Sequence, residues 1–186
     1  MFLCSLQDSG LTIFPTHRLL KGLSGDEGKR AALRSAIERH FEVSEAGLDE
    51  LEPPAGGPVT FGYLDAFDKR PLRLTLKDQP AVDEALPGRS EAYRRLDTAV
   101  LEALILKGAL GMSEDDVAGK RGLGYSSDLA DARDAVESGR ADAAFFTRAT
   151  PVEQVREVAE AGESMPPKST FFYPKIPTGL VFNPLD

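Results

Sequence analysis

The stretch between residues 122 and 147 constrains the fold most, because a strand, a helix and a second strand follow one another there at short spacing. Leu123 to Tyr125 predicts one strand, and the small apolar run from Ala143 to Thr147 predicts the other. Apolar residues between them recur at helical spacing, in a helix that Ser127 caps and Gly139 ends. This order predicts a βαβ crossover between parallel strands. The chain is therefore predicted to be α/β, or α+β, with a mixed sheet flanked by about five helices.

Hydrophobic periodicity and turn residues predict the other elements. The predicted strands cover Met1 to Leu6, Leu11 to Phe14, Val59 to Leu64 and Leu72 to Leu76, and residues 43–52 read as a short helical or irregular connection. The predicted helices begin at a capping box from Ser24 to Glu27, at Ser90, after Met112, and at a second capping box from Thr150 to Glu153. The helix from Ser90 to Lys107 is expected to be the longest, and its broad apolar stripe makes it the predicted centre of the core.

Length, charge and cysteine content limit the class of protein. A chain of 186 residues can form one sizeable core, so residues 1–186 are expected to be a single domain, with an internal break possible at residues 53–58. A formal net charge of −8 disfavours nucleic acid and anionic membranes as partners. Cys4 is the single cysteine and is predicted to lie in the core. With no cationic leader and no apolar run of about 18 residues, the sequence predicts a cytoplasmic protein.

Two glycine-containing segments resemble nucleotide loops only superficially. In the segment from Gly22 to Lys29, Leu23 occupies the first glycine position of a phosphate loop and Arg30 the position of its hydroxyl residue. The segment from Gly119 to Gly124 precedes a predicted strand, whereas a dinucleotide loop follows one. The two histidines have no nearby cluster of ligands, so no metal site is predicted.

The candidate site combines two segments that are far apart in sequence. After the strand that ends at Phe14, Pro15 interrupts the ladder, so His17 and Arg18 are expected at a strand end, where proton transfer and anion binding are both possible. In the C-terminal tail, prolines and a glycine fix the backbone around polar groups able to hold a phosphate: Lys168, Ser169, Thr170, Tyr173 and Lys175. The alternatives are a surface turn with a salt-bridged arginine, and a C-terminal strand whose lysines face water.

Four segments of the chain carry a family resemblance. FPTHRLL at residues 14–20, ADAAFF at 141–146, TPVEQVREVAEAG at 150–162 and MPPKSTFFYPKIPTGLVFNPL at 165–185 resemble the C-terminal part of the family known as domain of unknown function 1015. Fuller members carry an upstream Asp-Gly-His-His-Arg segment, similar to the phosphate-handling motif of ParB-like proteins, some of which phosphorylate free serine. That segment is not in this sequence, so the chain is expected to be the C-terminal part of a larger protein.

The resemblance places these candidate residues in the family's characteristic segments, and together with their chemistry it leaves three candidate functions. The first is a phosphate-handling enzyme similar to a free-serine kinase, in which Arg18 and Lys168 neutralise phosphate, Ser169 and Thr170 orient it, and His17 acts as acid/base or phosphate contact. ATP or ADP with Mg in the full-length protein are the implied cofactors, and a small phosphorylated molecule or nucleotide is the implied partner. The second is a non-catalytic module that binds a ligand or a partner. The third, ParB-like association with DNA, is disfavoured by the net charge of −8. The sequence does not indicate an oligomeric state.

Overall fold

The structure is a computed structural model that describes residues 5–6 and 8–175. In this part of the chain the strands are β1 (Thr12–Phe14), β2 (His17–Leu20), β3 (Phe41–Glu45), β4 (Thr60–Asp65), β5 (Leu72–Leu76), β6 (Leu123–Ser126), β7 (Ala143–Phe146) and β8 (Phe171–Tyr173). The α-helices are α1 (Glu27–His40), α2 (Pro80–Ala85), α3 (Glu91–Arg94), α4 (Asp97–Leu101), α5 (Glu114–Ala118), α6 (Leu129–Glu137) and α7 (Val152–Glu160). A 3₁₀ turn spans Leu48–Glu50, and a π-helix at Glu102–Lys107 continues α4. The predicted core position of Cys4, and most of the strand predicted over residues 1–6, lie outside the described residues.

A six-stranded sheet in the order β3-β5-β4-β7-β2-β6 organises the molecule, and β1 pairs with β8 in a separate two-stranded ribbon. The predicted α/β class is confirmed. Every hydrogen-bonded pair of neighbours in the larger sheet is antiparallel. In the predicted crossover, β6 and β7 do run parallel to each other, but β2 lies between them and pairs with both. The crossover helix α6 therefore spans one intervening strand.

The two faces of the sheet pack against different helices. Leu20 and Phe145 belong to the larger core, together with apolar residues of α1, α4 and the π-helix. Leu19 and Phe146 belong to a smaller core with α6. Because side chains alternate along a strand, His17 shares the face of Leu19 and the residue between them shares the face of Leu20. This alternation decides where the candidate site residues point.

The capping residues of three helices differ from those predicted, and in two of these helices the expected serine or threonine has another partner. Asp26, and not Ser24, caps α1 by accepting a bond from the Lys29 N–H at 2.9 Å. The Ser24 hydroxyl instead donates to the Asp142 carboxylate. Asp128 similarly caps α6 in place of Ser127.

The second predicted capping box is also absent. No side chain caps α7, because the Thr150 hydroxyl donates to the main-chain carbonyl of Ser169 at 3.0 Å. The Thr150 hydroxyl, which was predicted to cap α7, therefore binds the C-terminal tail instead.

The predicted long helix from Ser90 to Lys107 is wrong, since the chain leaves helical geometry at Leu96 (ψ 128°). Tyr93 and Leu96 pack with Val158 of α7 in a third apolar cluster. After the break, Ala99 still belongs to this third cluster, whereas Val100, Leu101 and the leucine and isoleucine residues of the π-helix pack in the larger core. One straight helix could not present its apolar residues both to the third cluster and to the larger core. The longest helix of the described chain is instead α1, with 14 residues.

The prediction for residues 43–52 missed an edge strand. β3 begins directly after α1 and pairs with β5 from Phe41 to Glu45. Apart from Phe41 its residues are exposed. Polar and charged residues protect the edge of a sheet from pairing with other chains, so an acidic edge strand resembles an irregular segment in sequence.

Candidate functional site

The two predicted segments meet at Arg18. Its side chain is buried on the larger-core face, and its guanidinium donates to the main-chain carbonyl of Lys168 at 3.1 Å. A second guanidinium nitrogen donates to the carbonyl of Thr16. The Tyr125 ring lies under the guanidinium carbon, 5.5 Å from the ring centroid. The strand end and the tail are therefore joined although 150 positions separate the two residues.

The positive charge of Arg18 has no ion-pair partner within 4.0 Å in the described part of the chain. Its hydrogen-bond acceptors are neutral carbonyls, and burial lowers its pKa to about 10. Glu102, on the π-helix, influences it only at longer range and is itself paired with Lys107 at 2.7 Å. A buried guanidinium paired only with neutral groups is costly, and its positive potential favours an anion nearby.

The tail residues occupy distinct environments. Lys168 has a left-handed backbone (φ 56°) and is exposed, and Ser169 is buried. The hydroxyl oxygens of Ser169 and Thr16, both buried, have no hydrogen-bond partner in the described residues. Thr170 is half-buried. The point of contact between Arg18 and the tail therefore has two buried hydroxyl groups nearby without a hydrogen-bond partner among the described residues.

His17 does not join this cluster, because its side chain lies on the opposite face of the sheet. It is fully buried, its ring is 5.4 Å from that of Phe146, and its Nδ1 accepts a bond from the Thr147 N–H at 3.2 Å. Nδ1 thus carries no proton, and Nε2 has no partner in the described residues. Burial, together with the neighbouring charge of Arg18, lowers the pKa of His17 to about 4, and Asp128 opposes this shift. His17 is therefore neutral at pH 7.

The pKa of His17 predicts a pH-dependent loss of stability. In the unfolded chain the His17 imidazole binds a proton near pH 6.5, while in the folded chain it resists protonation down to about pH 4. The resulting loss in the free energy of unfolding is absent above about pH 6.5, grows as the pH falls, and reaches its full value of about 3 kcal/mol near pH 4. Urea unfolding at pH 7.5 and pH 4.5 measures the change in the free energy of unfolding. His17→Gln should remove most of that pH-dependent loss, whereas His40→Gln, at a half-buried position, should remove little. Equal effects of the two substitutions would contradict this assignment.

Tyr173 and Lys175 lie on the exposed ribbon formed by β1 and β8. Tyr173 is 53% exposed, and the ammonium group of Lys175 is 4.3 Å from the centroid of the Phe171 ring. The predicted tail residues therefore separate into Lys168 and Ser169 at Arg18, and Tyr173 and Lys175 on the ribbon, with Thr170 between the two groups.

A groove of about 510 Å³ adjoins this arrangement. One wall is the segment Ser164–Pro167, immediately before Lys168, and the opposite wall includes Glu102 and Lys107 of the π-helix. π-helical turns are rare in proteins, and those that occur often lie at functional sites. The Glu163 carboxylate holds the start of the tail segment by accepting the Ser90 N–H at 2.9 Å. The groove can admit a small molecule beside the tail.

The segment from Gly22 to Lys29 does not match the phosphate-loop pattern, but it binds a carboxylate group of the same protein. The Asp142 carboxylate accepts the Leu23 N–H at 2.8 Å and the Ser24 hydroxyl. These hydrogen bonds lower the pKa of Asp142 even though its partial burial raises it. Because Asp142 occupies the loop's donors, this segment is not free to bind phosphate in this conformation.

Sequence reasoning missed the groups that support Arg18. Tyr125, Thr150 and Glu102 belong to three separate elements, and none stands in a motif of its own. Tyr125 would have been found if β2 had been recognised as a strand, because the pairing of β2 with β6 places Tyr125 opposite Arg18. The role of Thr150 was hidden by a capping pattern that would satisfy the same hydroxyl locally.

Two further features bear on the type of site. Among the described residues, no group of three or more His, Cys, Asp or Glu side chains is placed to hold a metal ion, so none is assigned to magnesium. In residues 5–6 and 8–175, no helix has the length and apolar character that crossing a membrane requires.

Comparisons with known proteins identify a family and a shared fold. The family model described as "Protein of unknown function (DUF1015)" matches residues 1–99. A conserved hypothetical protein from Pyrococcus furiosus has a similar structure, with a TM-score of 0.54, 19% identity and coverage of 94% of this chain and 61% of its own. Free serine kinase in complex with AMP is also similar, with a TM-score of 0.52, 18% identity and coverage of 91% and 56%. A variant of that kinase in complex with ADP gives the same TM-score of 0.52, 18% identity and the same coverage of 91% and 56%.

These likenesses establish the fold only, because the identities are low. The chain spans about three fifths of the length of these solved structures, 61% and 56%. A search of curated proteins gave no match.

Proposed function

The chain belongs to the DUF1015 family, and we propose that it supplies the phosphate-binding surface of a kinase-like phosphotransferase that uses an adenine nucleotide and acts on a small molecule. The observation that carries the proposal is the buried guanidinium of Arg18, which has only neutral acceptors and holds the carbonyl of Lys168. The kinases that share the fold bind AMP and ADP, which supports a nucleotide as the ligand.

The arrangement suits phosphoryl transfer, which depends on positioning and on neutralising charge more than on covalent chemistry. Arg18 would contribute a fixed positive potential, and it would also hold the turn at Lys168 through the carbonyl bond. The Lys168 ammonium, on an exposed side chain, would contact phosphate oxygens directly. The hydroxyl group of half-buried Thr170 would orient them, and buried Ser169 would hold the turn at Lys168 through its N–H, which donates to the Pro166 carbonyl.

His17 is given a positioning role in this proposal. It is buried on the opposite face of the sheet, and its interaction with the Thr147 N–H links the start of β2 to the end of β7. Its low pKa and its burial do not suit it to exchange protons with a ligand at the tail. The acid/base group of the proposed reaction is therefore not assigned to His17.

Replacing Arg18 by methionine tests the proposal, because it removes the positive charge that the ligand needs. It also removes the donor that binds the carbonyls of Thr16 and Lys168, so the free energy of unfolding should fall by about 1–3 kcal/mol while the protein stays folded. Binding of ADP should fall at least tenfold. At a concentration 100 times its Kd, ADP should stabilise the unmodified protein by about 2.7 kcal/mol. Calorimetric titration with ADP and thermal unfolding with and without ADP provide both measurements.

Arg34→Met is the matched control, since the Arg34 side chain is 67% exposed and its pairing with Asp68 at 3.6 Å is a surface contact. It should leave ADP binding unchanged. A protein that Arg18→Met unfolds, or one that binds ADP equally well with methionine at this position, would show that Arg18 is structural. No binding of ADP or phosphoserine by the unmodified protein would favour a module that recognises a protein partner.

A further inference from the structure

The ribbon of β1 and β8 exposes three aromatic rings on one face. Phe14 is 38% exposed, Phe171 is 37% exposed and Tyr173 is 53% exposed. The residues between them, Ile13 and Phe172, are half-buried and point to the other side. The pairing places Phe14 opposite Phe171, and Tyr173 lies two pairs further along the ladder, so the three rings share one face. Such a cluster is more informative than a single exposed ring, because grouped exposed apolar residues mark binding surfaces.

The rings form a small, ordered platform. Phe14 contacts the other two, with centroids 6.2 Å from Phe171 and 5.7 Å from Tyr173, the latter edge to face. The ammonium group of Lys175 already covers Phe171 at 4.3 Å. Tyr173 is therefore the ring with the most surface left, and Phe14 supports it from the side.

Positive charge lies at short range from this platform. Lys175 is part of it, and Lys168 precedes Phe171 by three residues, which span at most roughly 11 Å of extended chain. Arg18 follows Phe14 by four residues, or at most roughly 14 Å. Lys168 and Arg18 are joined through the Lys168 carbonyl. A flat aromatic surface near fixed cations is complementary to a molecule that has a flat ring at one end and phosphate groups at the other.

We propose that the exposed face of the β1–β8 ribbon is the base-binding surface of a nucleotide site, with a purine ring stacked on Tyr173 and its phosphates directed to Lys168 and Arg18. This inference rests on the proposed function and adds the residues that would distinguish a nucleotide from other phosphorylated molecules. Phe14 is assigned as the residue that holds the Tyr173 ring in place.

Two other occupants fit the platform less well. A nucleic acid strand would meet a protein of net charge −8, which repels a polyanion over most of its surface. A second copy of the chain would need about 800 Å² per partner for a stable interface. The three partly exposed rings offer roughly 250 Å², if a whole aromatic side chain offers about 200 Å².

The test compares ADP with inorganic pyrophosphate, which has the phosphates but no base. Tyr173→Leu and Phe14→Leu should each weaken ADP binding by about 5- to 150-fold, the range expected for one stacked base. The affinity for pyrophosphate should stay within about twofold. Phe67→Leu is the matched control, since Phe67 is 40% exposed but lies in the turn after β4. It should change neither affinity. Calorimetric titration measures all four proteins.

A conservative substitution keeps the test independent of folding. The chain has no tryptophan, so Tyr173→Trp introduces one fluorescent ring at the proposed stacking position. That variant should bind ADP at least as tightly as the unmodified protein, and ADP should quench its fluorescence while pyrophosphate should not.

The outcomes separate this inference from the proposed function. If the unmodified protein binds neither ligand, both are overturned. Equal weakening of ADP and pyrophosphate by Tyr173→Leu, or no weakening of either, overturns the base-binding surface and leaves phosphate binding in place. A dimer in solution that Tyr173→Leu converts to monomer would show the ribbon to be a contact between two copies, and would also overturn it.

Discussion

Replacing Gly62 by alanine is expected to lower the free energy of unfolding by at least about 3 kcal/mol, because the new methyl group has no space. Gly62 lies in β4, between the neighbouring strands β5 and β7. An alanine Cβ there would be 1.9 Å from the carbonyl oxygen of Leu51 and 2.7 Å from its carbonyl carbon. Both atoms belong to the main chain, so no side-chain rotation relieves the overlap. Urea unfolding followed by circular dichroism measures the loss.

Gly88→Ala is the control for the Gly62 substitution. Gly88 has no left-handed backbone, and a Cβ built on it meets no atom within 4 Å. Alanine there should change stability by no more than about 0.5 kcal/mol, or raise it slightly by restricting the unfolded chain. If both variants unfold at the same urea concentration, Leu51 does not cross β4 as closely as the structure indicates.

The contact between Leu51 and Gly62 illustrates what a single sequence conceals. The β4 and β5 strands were predictable, because their apolar residues and the turn between them are local signals. The need for glycine at position 62 comes from a chain segment 11 positions earlier that crosses the strand. Leu51 is fully buried in the smaller core, which is why the crossing is so close.

The same distinction explains which helices were predicted correctly. α1 and α6 each pack one face into a single core, the larger one for α1 and the smaller one for α6, so their apolar spacing is regular and their extents followed from periodicity. The segment from Ser90 to Lys107 has equally regular spacing, but its two halves pack against different partners. The spacing of apolar residues does not show where the helix breaks between these two partners. Two predicted helix caps were wrong for a related reason. Ser24 and Thr150 make hydrogen bonds to residues distant in sequence, and these replace the predicted local bonds.

The sequence predicted that the two segments of the candidate site meet, but not how their side chains are arranged. Arg18 and Lys168 were expected to converge, and a hydrogen bond joins them. The structure separates His17 from them, because residues 17–20 form a strand of their own, whereas the sequence predicted only that His17 and Arg18 follow a strand end. Adjacent residues of a strand point to opposite faces. Recognising β2 in the sequence would have been sufficient to place His17 and Arg18 on different sides.

Replacing Arg148 by methionine is expected to cost about 3–5 kcal/mol, the usual effect of removing one member of a buried ion pair. Arg148 donates to both carboxylate oxygens of Asp97, at 2.7 and 3.0 Å, and the two side chains are only 9% and 10% exposed. Its remaining donors bind main-chain carbonyls of the loop that was predicted as a possible break, at Pro54, Gly56, Gly57 and Pro58. Methionine would leave Asp97 charged, buried and without a partner, and would release this loop from α4.

Arg156→Met measures what an exposed arginine contributes, since Arg156 and Glu160 form a surface pair on α7 at 3.7 Å with exposures of 57% and 70%. Its loss should cost less than about 0.5 kcal/mol. Arg148→Lys should lie between the two methionine variants, because one ammonium group can pair with Asp97 but cannot also reach four carbonyls. Limited proteolysis should cut Arg148→Met within residues 53–58 and leave Arg156→Met intact there. Equal stability of the two methionine variants would mean that Asp97 and the loop do not depend on Arg148, and that residues 53–58 are free to act as a linker.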